Sequence, residues 1–370
     1  MTEQHTAPAP QGAGKTALIM AGGTGGHIFP GLAVAQALRE QGWRVHWLGA
    51  PGSMESRLVP QYGFPLELID FTGVRGKGLG ALLRLPLRLL RALAQSVQVL
   101  RRVRPDVVLG LGGYITFPAG VMAVLLGKPL VLHEQNSVAG LANKVLAKVA
   151  RRVFTAFPDV IAKAQWVGNP LRTEFLQQAG PEQRLAGRSG PLRVLVVGGS
   201  LGARALNTVV PQALALIPPG QRPQVTHQSG EKQIDELRAN YAAAGVQATL
   251  TPFIANTAQA FADADLVVCR AGASTVTELA AVGAAAVLVP LPSAVDDHQT
   301  RNARFLVDQG AAWLVPQAEL TPEALAALLQ KTERKTLISR GLEAKKMQKI
   351  HATQAVVAAC EELTPRKEPV

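Results

Sequence analysis

Residues 17–38 read ALIMAGGTGGHIFPGLAVAQAL, and this stretch decides the fold class. Its apolar residues 17–21 predict a short buried strand, residues 22–26 predict a glycine turn, and a helix is predicted to begin near His27 and Pro30. Glycine suits such a turn because the backbone can bend sharply and approach a ligand without a Cβ in the way. The helix start offers unpaired backbone N–H groups and the positive end of the helix dipole. The stretch therefore predicts a site for an anion or a sugar, with the titratable His27 beside it.

The size and charge of the chain limit its class and its partners. A length of 370 residues exceeds what a single core usually serves, so two domains are expected. The 38 Lys and Arg residues outnumber the 26 Asp and Glu residues, and the net charge of +12 favours an anionic partner such as a nucleotide, a phospholipid surface or a nucleic acid. Aromatic residues make up only 5% of the chain, which argues against single-stranded nucleic acid.

The cysteines indicate a reducing compartment, and the first residues do not predict a signal peptide. Cys269 and Cys360 are the two cysteines, and each lies in an apolar pattern without metal-ligand or disulfide spacing. Residues 1–13 lack the basic and apolar regions of a signal peptide and are predicted to be a disordered tail. No apolar run approaches the length of a membrane-spanning helix, so a soluble or peripheral protein is expected.

Predicted strands alternate with predicted helices, which favours parallel sheets with right-handed crossovers. In the first half, strands are predicted at residues 17–21, 45–48, 66–69, 107–111, 130–133 and 153–155, and helices at 31–41, 82–102, 117–126 and 138–150. After residues 180–190, strands are predicted at 194–197, 224–227, 248–251, 266–269, 285–289 and 312–315. The last helical pattern, residues 337–361, has no strand of its own and could pack back on the first domain.

An internal repeat indicates how the two halves are related. Residues 18–26 (LIMAGGTGG) and 195–202 (LVVGGSLG) both read as a strand, two glycines, a hydroxyl residue and a further glycine. Each opens one half of the chain. The sequence therefore predicts an α/β protein with two doubly wound domains facing across a cleft, and ligands beyond the carboxyl ends of the strands.

Two nucleotide-binding motifs fail. Gly14-Lys15-Thr16 resembles the end of a P-loop, but the earlier glycine of that motif falls on Ala9, and the motif precedes the strand instead of following it. The dinucleotide fingerprint, started at Gly23, places Ile28 at its third glycine position. No acidic residue ends the strand at 45–50 to hold a ribose, so a nicotinamide-dependent dehydrogenase is disfavoured.

Polar groups in the first half have a functional and a structural interpretation. His27 could cap backbone groups at the helix start, or its neutral imidazole could take a proton from a hydroxyl. The residues 133–136 (HEQN) follow a buried strand and could line the cleft, although Asn136 or Ser137 could instead cap the next helix. Gly112-Gly113-Tyr114 also ends a strand and adds a third loop to the same edge.

The second half offers similar alternatives. The residues 167–172 (VGNPLR) look like an interdomain connection, and residues 198–200 (GGS) could hold a diphosphate through backbone N–H groups and one hydroxyl. Thr275 and Glu278 have the spacing of a capping box, while the functional alternative gives Glu278 to the hydroxyls of a ribose. The residues 296–299 (DDHQ) do not predict a metal site, because adjacent side chains in a loop diverge.

Residues 74–91 form a basic, leucine-rich stretch. Arg84, Arg88 and Arg91 repeat at helical spacing beside leucines, which is the pattern that an anionic bilayer surface attracts. The alternative is a helix packed on the sheet with a solvated arginine face, and Pro86 is expected to interrupt its first turn.

Several motifs occur together and in order, and they carry a family resemblance. They are GGTGGHIFPGLAVA, GGYITFPAG, HEQNSVAGLANK, VGNPLR, VVGGSLGAR, HQSGE and CRAGASTVTE. From about residue 17 to the final helix, the chain resembles the MurG family, which transfers N-acetylglucosamine from its UDP conjugate to undecaprenyl-linked muramyl-pentapeptide. The resemblance implies a GT-B glycosyltransferase fold of two Rossmann-like domains and inversion at the anomeric carbon, with no metal and no cofactor.

The resemblance also implies a domain plan and partners. It gives a tail at 1–14, an acceptor- and membrane-binding domain at 15–170, a UDP-sugar domain at 171–340, and residues 341–370 as a helix packed back on the first domain with a tail. The implied partners are UDP-N-acetylglucosamine, the undecaprenyl-linked muramyl-pentapeptide acceptor (lipid I), an anionic membrane surface and other cell-wall synthesis proteins, but no nucleic acid. The implied location is peripheral, on the cytoplasmic face of the inner membrane.

Site residues are carried over position by position. The donor positions of the family fall on Thr24, Gly25, Gly26, Asn136, Arg172, Ser200, Ile254, Ala273, Ser274, Thr275, Val276, Thr277, Glu278 and Gln299. The implied contacts include the Ile254 backbone with the uracil and Glu278 with the ribose. Positions important for activity in the family correspond to His27, Tyr114, His133, Glu134, Asn143, Asn207 and Arg270, of which Tyr114, His133 and Asn143 are placed on the acceptor side. Relatives often carry two adjacent glutamines where this chain has His298-Gln299.

The mechanism implied is attack by the C4 hydroxyl of lipid I on the anomeric carbon, giving lipid II. His27 and, second to it, Glu134 are the candidate bases. Helix N-termini with Ser200 or Arg172 would stabilise the leaving diphosphate. A UDP-sugar 2-epimerase and a non-catalytic nucleotide-sugar binding protein remain as alternatives of the same fold.

Overall fold

The computed structural model describes residues 14–71, 73, 84–199 and 202–364. The predicted tail at 1–13, residues 74–83 of the basic leucine-rich stretch, and Ser200 lie outside the described residues. The chain divides into two units, the first made of residues 1–135, 139–170 and 351–370 and the second of residues 136–138 and 171–350.

The first unit contains a sheet of seven parallel strands in the order β3-β2-β1-β4-β5-β6-β7. Its strands are β1 (Thr16–Ala21), β2 (Arg44–Gly49), β3 (Leu66–Leu68), β4 (Val107–Gly112), β5 (Leu130–Glu134), β6 (Arg152–Thr155) and β7 (Gln165–Trp166). Its helices are α1 (Gly25–Glu40), α2 (Met54–Leu58), α3 (Leu85–Val103), α4 (Thr116–Leu125), α5 (Leu141–Leu146) and, at the end of the chain, α15 (Ala352–Glu362).

Strand β1 is an interior strand of this sheet, third of the seven in order, and none of its residues is exposed. It pairs in parallel with β2 on one side and β4 on the other. Ala17 and Ile19 join a core with α1 and α15, whereas Leu18 and Met20 join a second core with α3 and α4. Burial on both faces explains why this strand is a continuous apolar run and not an alternating one.

The second unit repeats this plan with six parallel strands in the order β10-β9-β8-β11-β12-β13. Its strands are β8 (Arg193–Val197), β9 (Gln224–Gln228), β10 (Thr249–Thr251), β11 (Leu266–Cys269), β12 (Ala286–Leu288) and β13 (Ala312–Leu314). Its helices are α6 (Thr173–Leu176), α7 (Pro181–Leu185), α8 (Arg204–Leu216), α9 (Ile234–Ala243), α10 (Thr257–Asp263), α11 (Ala273–Val282), α12 (His298–Val307), α13 (Pro322–Lys331) and α14 (Arg334–Lys346). Short 3-10 turns occur at Val59–Tyr62 in the first unit and at Pro219–Gln221, Glu231–Gln233, Val295–Asp297 and Gln317–Glu319 in the second.

The sequence repeat corresponds to a structural repeat. Strand β8 occupies the place in its sheet that β1 occupies in the first, since it pairs with β9 and β11 as β1 pairs with β2 and β4. Each of these two strands is followed by a glycine turn and a helix. The prediction of two doubly wound α/β domains is therefore confirmed.

Three local predictions are wrong, and two short elements are not predicted. The helical pattern at 337–361 is two helices, α14 and α15, and α15 buries Val356 and Cys360 in the core of the first unit. The helix predicted at 138–150 is reduced to α5. Pro86 does not interrupt a turn, because it is the second residue of α3, where its missing N–H costs nothing. Strand β7 and helix α2 are too short to be read from hydrophobic periodicity.

Candidate active site

The β1–α1 turn places His27 at the carboxyl end of β1. Thr24 is the N-cap of α1, so the helix begins at Gly25, two residues before the predicted start at His27. Gly23 has a φ of +89°, a conformation that L side chains rarely adopt, and this requires glycine at the bend. Gly25 and Gly26 form the first turn of the helix and leave its N–H groups accessible.

The hydrogen bonds of His27 determine which ring nitrogen could act as a base. Its Nδ1 lies 3.0 Å from the carbonyl oxygen of Gly22 and 3.4 Å from the hydroxyl of Thr24. Because a carbonyl oxygen only accepts, the shorter contact requires the proton on Nδ1. Nε2 then has the lone pair in the neutral imidazole. The half-buried ring is therefore oriented by the turn that precedes it.

The β4–α4 turn packs directly against this ring. A Cβ on Gly112 would lie 2.9 Å from His27 Nε2, and a Cβ on Gly113 would lie 2.5 Å from the carbonyl oxygen of Gly22. Only glycine permits both approaches. Tyr114 follows with 54% of its surface exposed, and its ring lies against Gly73. The structure thus brings two of the predicted loops together around His27.

His133, at the end of β5, is fully buried and fixed at both ring nitrogens. Its Nε2 donates to the carbonyl of Gly168 over 2.8 Å, and its Nδ1 accepts from the side-chain amide of Gln135 over 3.1 Å. Burial lowers the pKa of His133 to about 4, although the hydrogen bond to Gly168 acts in the opposite direction. The ring is therefore neutral at physiological pH and holds the residues after β5 in place.

Glu134 is also buried, and its contacts lie within the same loop. One carboxylate oxygen accepts from the backbone N–H of Gly140 at 3.1 Å and from the side-chain amide of Asn143 at 2.8 Å. Gly140 is the N-cap of α5, so the alternative that Asn136 or Ser137 caps this helix is wrong. These two hydrogen bonds orient the Glu134 carboxylate towards Gly140 and Asn143 of its own loop.

In the second unit, the β8–α8 turn is held tightly against the end of β9. Gly199 has a φ of +85°, donates its N–H to the Gln228 side-chain oxygen over 3.2 Å, and accepts from the Gln228 amide over 3.1 Å. A Cβ on Gly202 would lie 2.0 Å from the carbonyl oxygen of Ser229. Helix α8 starts two residues later, with Ala203 as its N-cap. Its N-terminus is the kind of site that binds phosphate groups.

The β11–α11 turn offers a second helix N-terminus. Gly272 is the N-cap of α11, so the capping box predicted for Thr275 and Glu278 is wrong, and both residues lie inside the helix. The hydroxyl of Thr277 donates to the carbonyl of Ala273. The hydroxyl oxygen of Ser274, in the first turn, is buried without a hydrogen-bond partner in the described part of the chain. Together with the N–H groups, it suits an anionic or polar ligand.

Glu278 carries a perturbed carboxyl group. Burial raises the pKa of Glu278 to about 7, and the nearby guanidinium of Arg172 acts in the lowering direction. Arg172 itself lies over the ring of Phe175, with 5.0 Å between its Cζ and the ring centroid. Burial and, to a lesser degree, Glu278 also raise the pKa of the Cys269 thiol, which keeps that thiol protonated.

Arg270 and Asn207 support the turns around them. One Nη atom of Arg270 donates to the carbonyls of Val289 and Pro290, and the other donates to Gln317 over 2.7 Å. Asn207 donates to Gln233 over 2.8 Å and lies 3.1 Å from the Nε2 of His227. The predicted importance of both positions has a structural basis in these contacts, and neither set of partners could be found from sequence spacing.

Two further donor positions lie in the second unit, Ile254 in a loop and Gln299 in the first turn of α12. Ile254 is half-buried, and its carbonyl accepts weakly from the Thr257 hydroxyl over 3.5 Å. The side-chain oxygen of Gln299 accepts from the backbone N–H of Leu291 over 2.9 Å. Asp296 and Asp297, just before α12, have φ values of +53° and +51°, so this loop stores backbone strain.

Sequence reasoning missed Glu55, in the first turn of α2. Its carboxylate is buried and accepts from the backbone N–H groups of Gly23 and Ala50. An acidic residue beside the N-cap Ser53 is an ordinary feature of a helix start, so the sequence carries no signal for this contact.

The described residues contain no group of three His, Cys, Asp or Glu side chains that could hold a metal ion. Over the same ranges, no helix is both long enough and apolar enough to cross a bilayer.

We expect a pH-dependent effect from the Glu278→Gln variant. The folded protein binds this proton more tightly than the unfolded chain, so ionising Glu278 costs stability as the pH rises from 4.5 towards about 7. The substitution removes that cost. The Tm of the variant, relative to the Tm of wild type, should therefore be several degrees higher at about pH 8 than at about pH 5.

Scanning calorimetry at the two pH values measures this change, with Glu182→Gln, an exposed carboxylate on α7, as the control. An equal Tm difference between Glu278→Gln and wild type at both pH values would contradict the raised pKa.

Comparisons with known proteins agree with the observed fold and identify the family of the chain. Residues 17–155 match the glycosyltransferase family 28 N-terminal domain, and residues 193–359 match the glycosyltransferase family 28 C-terminal domain. The spinosyn forosaminyltransferase SpnP, at 16% identity and a TM-score of 0.68, shares the fold over 95% of this chain and 100% of its own. The predicted GT-B architecture is confirmed.

More similar relatives cover nearly the whole chain. Two of them are named UDP-N-acetylglucosamine--N-acetylmuramyl-(pentapeptide) pyrophosphoryl-undecaprenol N-acetylglucosamine transferase. The one from Albidiferax ferrireducens is 74% identical over 94% of this chain and 91% of its own length. The one from Paracidovorax citrulli is 73% identical over 95% of this chain and 99% of its own length. The crystal structure of Acinetobacter baumannii MurG is 41% identical with a TM-score of 0.81, over 94% of this chain and 99% of its own. The chain therefore belongs to glycosyltransferase family 28 and, within it, to the MurG family.

Proposed function

We propose that this protein transfers N-acetylglucosamine from UDP-N-acetylglucosamine to lipid I, giving lipid II in peptidoglycan synthesis. The observation that carries the proposal is identity of 63–74% to transferases of that name across nearly the full chain. The 2-epimerase and the non-catalytic binding protein are not favoured, because these relatives are transferases by name. The geometry around His27 in the first unit and that of the α8 and α11 N-termini in the second are compatible with the same reaction.

The donor nucleotide is assigned to the second unit. The N-termini of α8 and α11 would hold the diphosphate with backbone N–H groups, and the buried Ser274 hydroxyl is placed to contribute a further hydrogen bond. Ionised Glu278 could accept from two ribose hydroxyls, with Arg172 favouring its charged form. The remaining proposed donor contacts are Thr24, Gly25 and Gly26 of the first unit, and Asn136, Ser200, Ile254, Ala273, Thr275, Val276, Thr277 and Gln299 of the second.

The acceptor chemistry is assigned to the first unit. His27 Nε2 takes the proton of the acceptor C4 hydroxyl as that oxygen bonds to the anomeric carbon. The bond from the anomeric carbon to the UDP oxygen breaks, and its electron pair leaves with UDP. The helix N-termini stabilise the negative charge that develops on the leaving diphosphate. Tyr114 is proposed on the acceptor side, while His133, Glu134 and Asn143 fix the neighbouring loop.

We expect the His27→Ala variant to lose most of its transferase activity. A positioned general base contributes about 10²–10⁴-fold, so kcat/KM should fall by that factor while binding of UDP-N-acetylglucosamine is little changed. Transfer of labelled sugar to a lipid I analogue measures the first quantity, and calorimetric titration measures the second. His46→Ala is the matched control, since His46 lies on β2 of the same unit and contacts Glu67.

The same assay separates the proposal from its alternatives. Consumption of the donor only when the lipid-linked acceptor is present supports the transferase. Conversion of the donor without acceptor would indicate a 2-epimerase, and binding without turnover would indicate a non-catalytic protein. Unchanged kcat/KM in His27→Ala would remove His27 from the chemistry.

An anionic membrane surface is proposed to contact the first unit. Leu87 and Leu90 on α3 are 72% and 63% exposed, and Leu125 at the end of α4 and Leu141 on α5 are 70% and 79% exposed. These three helices cover the same face of the sheet, where α4 packs against both of the others. The exposed cations beside these residues are Arg84, Arg91, Lys144 and Lys148. Apolar side chains with a basic rim favour an anionic bilayer, which fits a peripheral protein on the cytoplasmic face of the plasma membrane.

Replacing Arg84, Arg88 and Arg91 with glutamine should weaken binding to anionic vesicles. Each basic side chain near such a surface is worth about 1 kcal/mol, so removing all three should lower the partition coefficient by about 100-fold. Co-sedimentation with vesicles of phosphatidylglycerol and phosphatidylcholine measures it. The control replaces three exposed cations of the second unit, Arg238, Lys331 and Lys335, with glutamine. Equal losses in the two variants would favour a solvated arginine face that does not meet the membrane.

A further inference from the structure

Glu55 is a buried carboxylate that joins the ends of two neighbouring strands. Only 1% of its surface is exposed. One oxygen, Oε1, accepts from the backbone N–H of Ala50 over 3.1 Å, directly after β2. The other, Oε2, accepts from the backbone N–H of Gly23 over 3.0 Å, in the turn after β1. A buried charge is costly unless it is hydrogen-bonded, and these two bonds supply that compensation.

The backbone around this carboxylate leaves room for it. A Cβ on Gly22 would lie 2.7 Å from Glu55 Oε1, and a Cβ on Gly49 would lie 2.8 Å from Glu55 Cγ. Glycine at the end of each strand therefore admits the side chain between them. The space between the two strand ends is shaped for this carboxylate, because a Cβ at Gly22 or Gly49 would displace the Glu55 side chain.

One peptide group links Glu55 to His27. The N–H of the Gly22–Gly23 peptide donates to Glu55, and the carbonyl of the same peptide accepts from His27 Nδ1 over 3.0 Å. A carboxylate that accepts from the N–H side polarises the amide, which makes its carbonyl oxygen a stronger acceptor. The stronger carbonyl fixes the proton on Nδ1 and stabilises the imidazolium that forms when Nε2 takes a proton.

We propose that Glu55 is a positioning residue for His27, acting through the Gly22–Gly23 peptide. It orients the carbonyl that selects the tautomer and transmits part of its negative charge to the ring. This inference rests on the proposed role of His27 as general base. Glu55 itself takes no proton from the substrate.

Other titratable groups lie on the elements around His27, and their described contacts lead elsewhere. Tyr114 packs on Gly73, and His46 on β2 contacts Glu67. The groups at the far end of α1 and on α15, which packs against α1, are Arg39, Glu40, Cys360, Glu361 and Glu362. Among the described hydrogen bonds, the carboxylate that reaches the Gly22–Gly23 peptide is that of Glu55.

The test is the Glu55→Gln variant, which keeps the shape and removes the charge. We expect kcat/KM to fall by about 10- to 100-fold, because a misplaced catalytic group costs up to about that factor. The acid limb of the pH profile of kcat/KM should move to lower pH, since an imidazolium that loses a negative partner gives up its proton more readily.

Asp106→Asn is the matched control. Asp106 also accepts a backbone N–H bond at β1, from Thr16 over 2.8 Å, but at the opposite end of the strand. The Asp106→Asn substitution likewise removes a charge and keeps an amide oxygen that accepts this bond, and it should leave the pH profile of kcat/KM unchanged. A merely structural role for Glu55 would make the two variants behave alike.

A double-mutant cycle separates this inference from the proposed function. If Glu55 acts through His27, Glu55→Gln should cost less than about threefold in the His27→Ala background. Equal losses in both backgrounds, or an unshifted acid limb, would overturn the role of Glu55 while leaving His27 as the base. Wild-type activity in His27→Ala alone would instead overturn the proposed base.

Discussion

The candidate site around His27 depends on the close approach of two backbone turns, at the ends of β1 and β4. Gly113 lies so near the carbonyl oxygen of Gly22 that a Cβ would lie 2.5 Å from that oxygen. Gly112 lies against the His27 ring, where a Cβ would lie 2.9 Å from Nε2. The carbonyl that these glycines accommodate is the one that accepts from His27 Nδ1. Any side chain at Gly113 would displace that carbonyl, and with it the orientation of the imidazole.

The second unit uses the same strand, turn and helix with a different acceptor. In the first unit the N–H of Gly23 is held by the carboxylate of Glu55, whereas in the second unit the N–H of Gly199 is held by the neutral amide oxygen of Gln228. A carboxylate beside a diphosphate would repel it, and an amide would not. This difference supports placing the diphosphate at the second turn and the base at the first. We therefore propose that the glycine turn at residues 22–26 meets the acceptor hydroxyl and the donor sugar.

Much of the fold could be predicted because its signals are local. Continuous apolar runs such as residues 17–21 and 266–269, each followed within three residues by glycine, predict buried parallel strands and their turns. The positions of His27 and of the Gly112-Gly113 turn followed from the rule that ligand groups gather at the carboxyl ends of parallel strands. Their mutual distance did not, because it depends on how closely two glycine backbones pack.

The features that sequence reasoning missed depend on tertiary contacts. Glu55 looks like an ordinary first-turn acid of a five-residue helix, and its burial follows only from the glycines on two strands that precede it. Thr275 and Glu278 have capping-box spacing, yet the helix starts earlier, at Ala273, because Gly272 takes the N-cap position. The burial that raises the pKa of Glu278 likewise comes from the fold around α11 and not from its sequence.

The Gly22 carbonyl holds the proton of His27 on Nδ1, which leaves Nε2 as the basic nitrogen. The most direct measurement is the 15N NMR spectrum of protein with labelled histidine, assigned through the His27→Ala variant and recorded above the pH at which the ring is protonated. We expect a protonated Nδ1 and an unprotonated Nε2 for His27. A proton on Nε2 in the neutral ring would contradict it.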